Sequence, residues 1–272
     1  MEKRQNSDEI PSVYLSAISG AEEILKKIEN SPLKERLLLK NDDFLEKDKY
    51  HKMLIEKIEF FTQEDEIKDT IQELELMFQS QIKSRKADEK GEYLRFCIEV
   101  EIKSHKILFE LRLILYTNKK FYPVKKNGTG VLDKEKFTYF KFPPEEYLAV
   151  GFYEIISSLE LLNDLSWYKE IYELLNTQLV EGRKIWEGFH SMILRHPISS
   201  LEQRMSTLKG YETYSYMRRR WEMQSRKRKE SYPKWEQVIT LLVTFFTPIL
   251  EGILKDEVFL GDWIPQLGRY LD

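Results

Sequence analysis

The chain has 272 residues, 42% hydrophobic and 33% charged, with 43 basic and 46 acidic side chains and a formal charge of −3. These proportions suit a folded chain, and the near-balance of charge excludes a polypeptide that is basic throughout while leaving room for local basic patches. The single cysteine, Cys97, excludes an intramolecular disulfide and a cysteine-rich zinc centre and suits a reducing compartment.

The first ten residues, MEKRQNSDEI, are polar and hold no signal-peptide core. The longest apolar run, Val238 to Leu250, falls short of the roughly 20 residues a membrane span needs, and it contains Pro248. The expectation is a cytoplasmic or nuclear protein with no membrane partner. Tyr14, Ala17, Ala21, Ile24 and Ile28 then follow at steps of three and four, the spacing of one helix face. Ser31 and Pro32 read as the cap and first position of a short helix holding Leu37. Asn41 and Asp42 read as the start of another, carrying Tyr50, Leu54, Ile58 and Phe61.

Thr62 and Asp65 resemble a capping box ahead of Ile67, Ile71, Leu74, Phe78 and Ile82. Leu94, Ile98, Ile102, His105, Phe109 and Tyr116 predict one long helix. The pattern fails over residues 118–142, which predicts a long loop with a small hairpin at Asn127-Gly128. Helix resumes at Pro143-Pro144 with Leu148, Phe152, Ile155, Leu159 and Leu162. Asp164 or Ser166 caps a stripe from Ile171 to Ile193, ended by His196-Pro197. Ser200 with Gln203 opens a helix through Met205, Leu208, Tyr211, Met217 and Trp221. Pro233 starts an apolar helix that Pro248 should kink, and Phe259, Trp263 and Leu267 lie in the tail. The spacing thus predicts an all-α antiparallel bundle of about eight helices, with residues 1–230 as the bundle and 231–272 as a C-terminal helix and tail.

Few residues suggest catalysis. His105 lies on an apolar stripe, and His51, His190 and His196 are not at metal-ligand spacing from it, so no metal or other cofactor is expected. Asn41-Asp42-Asp43 with Glu46 and Asp48 has the composition of a magnesium site, and equally that of a helix cap and acidic first turn. Arg183 and His190, with six residues between them, resemble the Arg-His motif of HEPN ribonucleases, in which such a pair could polarise a phosphate and move a proton. The densest constellation is basic: Arg218, Arg219 and Arg220, then Arg226, Lys227, Arg228 and Lys229, with Tyr211, Tyr214, Tyr216 and Trp221 alongside. Guanidinium groups grip phosphates and exposed rings stack on unpaired bases, whereas a solvated helix end with core-facing rings gives the same pattern. Lys119, Lys120, Lys125 and Lys126 form a second, smaller cluster.

Several blocks between Glu92 and Met223 resemble the translin family, translin and translin-associated factor X: Tyr93-Leu94-Arg95-Phe96 with Tyr116, Pro144-Glu145-Glu146-Tyr147-Leu148, Trp186-Glu187-Gly188-Phe189, and Met205-Ser206-Thr207-Leu208-Lys209. The resemblance implies an all-helical subunit of a homo- or hetero-oligomeric shell that binds RNA or single-stranded DNA. The family's metal-holding acids fall at Lys103, Lys106, and Tyr153 with Ser157 (or Glu154 with Ser158), which leaves too few carboxylates for a catalytic metal. Arg95 matches the family's basic segment, while Cys97, Glu99 and Glu101 replace its basic residues. The resulting expectation is a non-catalytic nucleic-acid-binding subunit with Arg95, Arg218, Arg219, Arg220, Arg226 and Arg228 as phosphate contacts. A protein-binding scaffold using the Pro233 to Leu254 helix and a HEPN-like ribonuclease are the alternatives.

Overall fold

The computed structural model describes residues 12–45, 55–87, 93–116 and 123–271. The chain divides into two compact units, residues 1–142 and 143–272. The first is built on a seven-stranded mixed sheet and the second carries a three-stranded one. The fold is therefore α/β, and the all-α expectation is corrected.

The decisive segment is the one expected to form a long helix. It is two strands, β4 (Tyr93–Ile102) and β5 (His105–Tyr116), paired antiparallel through the two-residue turn Lys103-Ser104. Phe96, Ile98 and Val100 alternate with Arg95, Cys97 and Glu99, and Phe109, Leu111 and Leu113 continue the alternation in β5, placing the apolar members in the core. A step of four is also two steps of two, so Leu94, Ile98 and Ile102 satisfy both periods. The full alternation and the β-branched and aromatic residues favour the strand. Lys103 takes the turn with φ of 55°, where no glycine announces the reversal.

Unit one begins with α1 (Ser12–Glu29) and β1 (Leu38–Leu39), followed by β2 (Lys57–Gln63), α2 (Ile67–Met77) and β3 (Ile82–Ala87). After β4 and β5 it ends in the hairpin β6 (Val124–Thr129) and β7 (Lys136–Lys141). The strand order is β3-β4-β5-β2-β1-β7-β6, with β2/β5 and β1/β7 parallel and the other neighbours antiparallel. Both helices cover one face. Ile18, Ala21, Ile24 and Leu25 of α1, with Leu74 of α2 and Phe78 just after it, bury Ile58 and Phe60 of β2 along with the apolar rows of β4 and β5. Asn127-Gly128 lies inside β6 rather than at its turn, paired with Thr138 and Phe137, and a Cβ on Gly128 would stand 2.3 Å from the Phe137 ring, so the glycine makes room for that ring. Of the expected long loop, residues 124–141 form this hairpin and residues 118–122 lie outside the described residues. Ile58 and Phe61, expected on a helix, are in β2, and Tyr50 and Leu54 lie outside the described residues. Instead of opening a short helix, Ser31 folds into a turn and accepts the Leu33 N–H at 3.1 Å.

The translin resemblance is likewise corrected. Its Tyr93-Leu94-Arg95-Phe96 block opens a strand rather than a helix. The similarity rested on short strings whose residue types suit both structures.

Unit two is mainly helical: α3 (Pro144–Ser158), α4 (Ser166–Thr177), a short β8 (Val180–Glu181), α5 (Gly182–Arg195), α6 (Leu201–Gly210), α7 (Ser215–Arg228) and α8 (Trp235–Lys255), closed by β9 (Asp262–Ile264) and β10 (Arg269–Leu271). Pro144 opens α3 with Glu145 and Glu146 in its first turn. The single stripe expected from Ile171 to Ile193 is two helices separated by β8, and the one through Tyr211 is broken over residues 211–214. By length and composition α8 could cross a membrane. Here its Trp235, Val238, Leu242, Phe245 and Phe246 are buried in the unit's core, against α4, α5 and α6. Phe152 stacks on Phe246 at 3.8 Å, and Trp263 of β9 donates its indole N–H to the Leu175 carbonyl at 2.8 Å.

Candidate nucleic-acid interface

Helix α7 sorts its side chains by direction. At 100° per residue, Met217, Trp221, Gln224 and Arg228 share one side, while Tyr216, Arg219, Arg220, Met223, Arg226 and Lys227 share the other. The first side packs: Met217 and Trp221 are buried, and Trp221 Nε1 donates to the Pro233 carbonyl at 2.9 Å. Three basic residues in the last turn complement the helix dipole. Lys229, with φ of 56°, closes the helix by donating its N–H to the Arg226 carbonyl.

The arginines expected as phosphate contacts divide into two groups. Arg220 places Nη1 2.6 Å from the Glu160 carbonyl and Nη2 2.5 Å from that of Leu162, capping the turn after α3. Arg228 donates to both oxygens of Asp164 at 3.0 and 2.8 Å, and Gln224 reaches the same carboxylate. Burial raises the Asp164 pKa, but the Ser166 backbone N–H and the Arg228 guanidinium outweigh it and hold the carboxyl below its usual value. Arg218 pairs with Glu236 at 2.6 Å. These three arginines are thus engaged with the chain itself.

Arg219 and Arg226 are exposed, as are Lys227 and Lys229. Arg226 keeps a loose pair with Glu222 at 3.5 Å, and its side chain is 79% exposed. Tyr214 and Tyr216 are 44% and 50% exposed. Their rings lie 5.8 Å apart, Tyr211 stacks on Tyr214 at 5.8 Å, and the Arg220 guanidinium lies 5.8 Å from the Tyr216 ring centre. Rings that carry a guanidinium on one side and open to solvent can accept an unpaired base, and the neighbouring cations can meet its phosphates. Lys227, Tyr214 and Tyr216 belong to the basic-aromatic constellation of the sequence but were not among the six expected phosphate contacts. The three- and four-residue steps that place 216, 219, 223, 226 and 227 on one line were present in the sequence.

The remaining candidates are on other elements. Arg95 is on β4, on the sheet face opposite the helices of unit one. His105 is in β5, 3.3 Å from the Ser16 hydroxyl through Nδ1. Arg183 pairs with Glu187 along α5, and His190 packs on Trp186 at 4.6 Å. Asp42 is occupied by Lys141 at 2.5 Å and the Tyr139 hydroxyl at 2.9 Å, Asn41 caps the Asp43 N–H, and Glu46 and Asp48 lie outside the described residues. Among the described residues no group of three or more His, Cys, Asp or Glu side chains could hold a metal ion. Lys125 and Lys126 are exposed on β6, and Lys119 and Lys120 lie outside the described residues.

No protein-family model matches the chain, and no curated protein does. Among solved structures it is similar to a protein from H. pylori described as a "putative nucleotidyltransferase", with a TM-score of 0.46 and 9% identity over 91% of this chain and 99% of that one. A likeness of that size transfers neither fold nor activity.

Proposed function

We propose that the protein binds single-stranded nucleic acid on the outward side of α7, with Tyr214 and Tyr216 stacking on bases and Arg219, Arg226 and Lys227 meeting phosphates. The observation that carries this reading is the pairing of two exposed, mutually packed tyrosines at the start of α7 with exposed cations along one of its sides, while Arg218, Arg220 and Arg228 bind the chain itself. Each stacked base contributes about 1–3 kcal/mol, and each phosphate contact adds about 0.7 to the salt dependence. Filter binding of a short oligonucleotide across a salt series tests it. Affinity should fall steeply with salt, Tyr216→Ala should weaken binding about 5- to 150-fold, and Arg226→Glu should flatten the salt slope. Absence of binding at about 50 mM salt, or variants indistinguishable from the parent protein, would remove the proposal.

A protein-binding role draws on a separate observation. Leu254, Val258, Leu260 and Leu267 are all exposed beyond the packed part of α8. Replacing Leu254 and Leu260 with serine should abolish pull-down of a partner while leaving oligonucleotide binding intact; retention of that partner would count against this role.

A further inference from the structure

The sheet face of unit one opposite α1 and α2 carries a line of charge that does not appear in the chain order. The register sets Lys86 of β3 opposite Arg95 of β4, Arg95 opposite Arg112 of β5, and Arg112 opposite Glu59 of β2. Lys40 follows, donating its N–H to the Glu59 carbonyl. Side chains at paired positions point the same way, so Lys86, Arg95, Arg112 and Glu59, from four neighbouring strands, share one row on one face, and Lys40, one residue past β1, stands at its end. Their apolar neighbours Phe60, Phe96, Leu111 and Leu113 fill the other face.

The row has two halves. At one end Glu59 is gripped by Lys57 at 2.6 Å, Arg112 at 3.1 Å and Lys40 at 3.5 Å. Burial pushes its carboxyl upward, yet those cations prevail and hold it below its usual pKa. At the other end Lys86 is exposed, and Arg95, with its side chain 45% exposed, pairs among the described residues with Glu110 at 4.0 Å. Like charges directly opposite across strands cost stability, and here three cations stand on three consecutive strands. Glu59 fixes the innermost, Arg112, so that its charge is held in place.

We propose that Lys86, Arg95 and Arg112 form a binding site for a short oligophosphate, an anion of two or three linked phosphate groups. Strands spaced about 4.8 Å apart put the outer two cations roughly 10 Å from each other. Linked phosphates concentrate several charges within that length: the Arg95 fork can grip one bidentately, Lys86 can meet the next, and Arg112, held by Glu59, adds its charge to the row. The carboxylate of Glu59 next in line sets the limit on ligand length. This site is independent of α7 and of the nucleic-acid reading.

The test is calorimetric titration of the full chain with inorganic tripolyphosphate at low salt, beside orthophosphate. Tripolyphosphate should bind, and orthophosphate should bind at least tenfold more weakly. Arg95→Glu and Lys86→Glu should each lower tripolyphosphate affinity tenfold or more. Lys68→Glu, on α2 behind the other face, should leave it unchanged. Thermal melting checks that each variant is folded, and Arg95→Gln serves if charge reversal disturbs the sheet. Equal affinity for the two anions, no binding of tripolyphosphate, or equal losses in the sheet and control variants would each overturn the proposal.

Discussion

The backbone N–H of Val131 donates to both carboxylate oxygens of Glu22, at 3.0 and 2.9 Å, tying the turn between β6 and β7 to α1. Glu22 is only 2% exposed. Burial pushes its pKa up to about 7 against the lowering effect of the Val131 N–H, with Asp133 and Glu23 adding to the rise and Lys26 opposing it. An acid whose folded pKa lies above its unfolded value holds its proton longer when folded. Its contribution is therefore greatest at low pH and falls as pH rises from about 4.5 to about 7. Over that window the cost is on the order of 3 kcal/mol. Glu22→Gln should gain stability relative to the parent protein between pH 5 and pH 8. Denaturant melts at the two pH values check this, and a difference independent of pH would refute it.

Arg220 holds two carbonyls at once, and that geometry predicts an unequal response to substitution. Arg220→Ala should destabilise by about 1.5–3 kcal/mol, the usual scale for hydrogen bonds from a charged donor. Arg220→Lys should recover less than half, because a single ammonium cannot reproduce the fork that spans Glu160 and Leu162. Urea unfolding monitored by tryptophan fluorescence measures both.

Gly128→Ala should cost about 1–3 kcal/mol through overpacking against the buried Phe137 ring. The double variant Gly128→Ala, Phe137→Leu should recover part of the loss, since the obstructing ring atoms are gone. Additive losses in a double-mutant cycle would mean the two sites are uncoupled.

Trp263 is fully buried and anchors β9 to the end of α4 through its indole N–H. Trp263→Ala should cost about 3–5 kcal/mol, and Trp263→Phe less, losing chiefly the bond to the Leu175 carbonyl. Thermal unfolding would distinguish this structural role from that of a loose tail, for which neither substitution would matter.

Several elements were legible from spacing alone. The stripe from Tyr14 to Ile28 is α1, and the prolines and acids at 143–146 open α3 as expected. The sheet was obscured for a specific reason. In β4, Leu94, Ile98 and Ile102 satisfy helical and extended spacing together, and only the intervening Phe96 and Val100 break the tie. The basic run at 218–229 was visible, but not which guanidiniums Glu160, Leu162, Asp164 and Glu236 would engage, because those partners come from other segments. Tertiary pairing decides this, and local composition does not record it.

The row from Lys86 to Lys40 also bears on how the first unit reaches its native pairing. A misalignment of β4 by a single position would turn Arg95 into the greasy interior and expel Phe96. Each of the neighbouring strands carries the same penalty, so a slipped intermediate would have to swallow charge at every step. The basic side chains would thus proofread the assembly of the sheet, a duty they discharge before any ligand arrives.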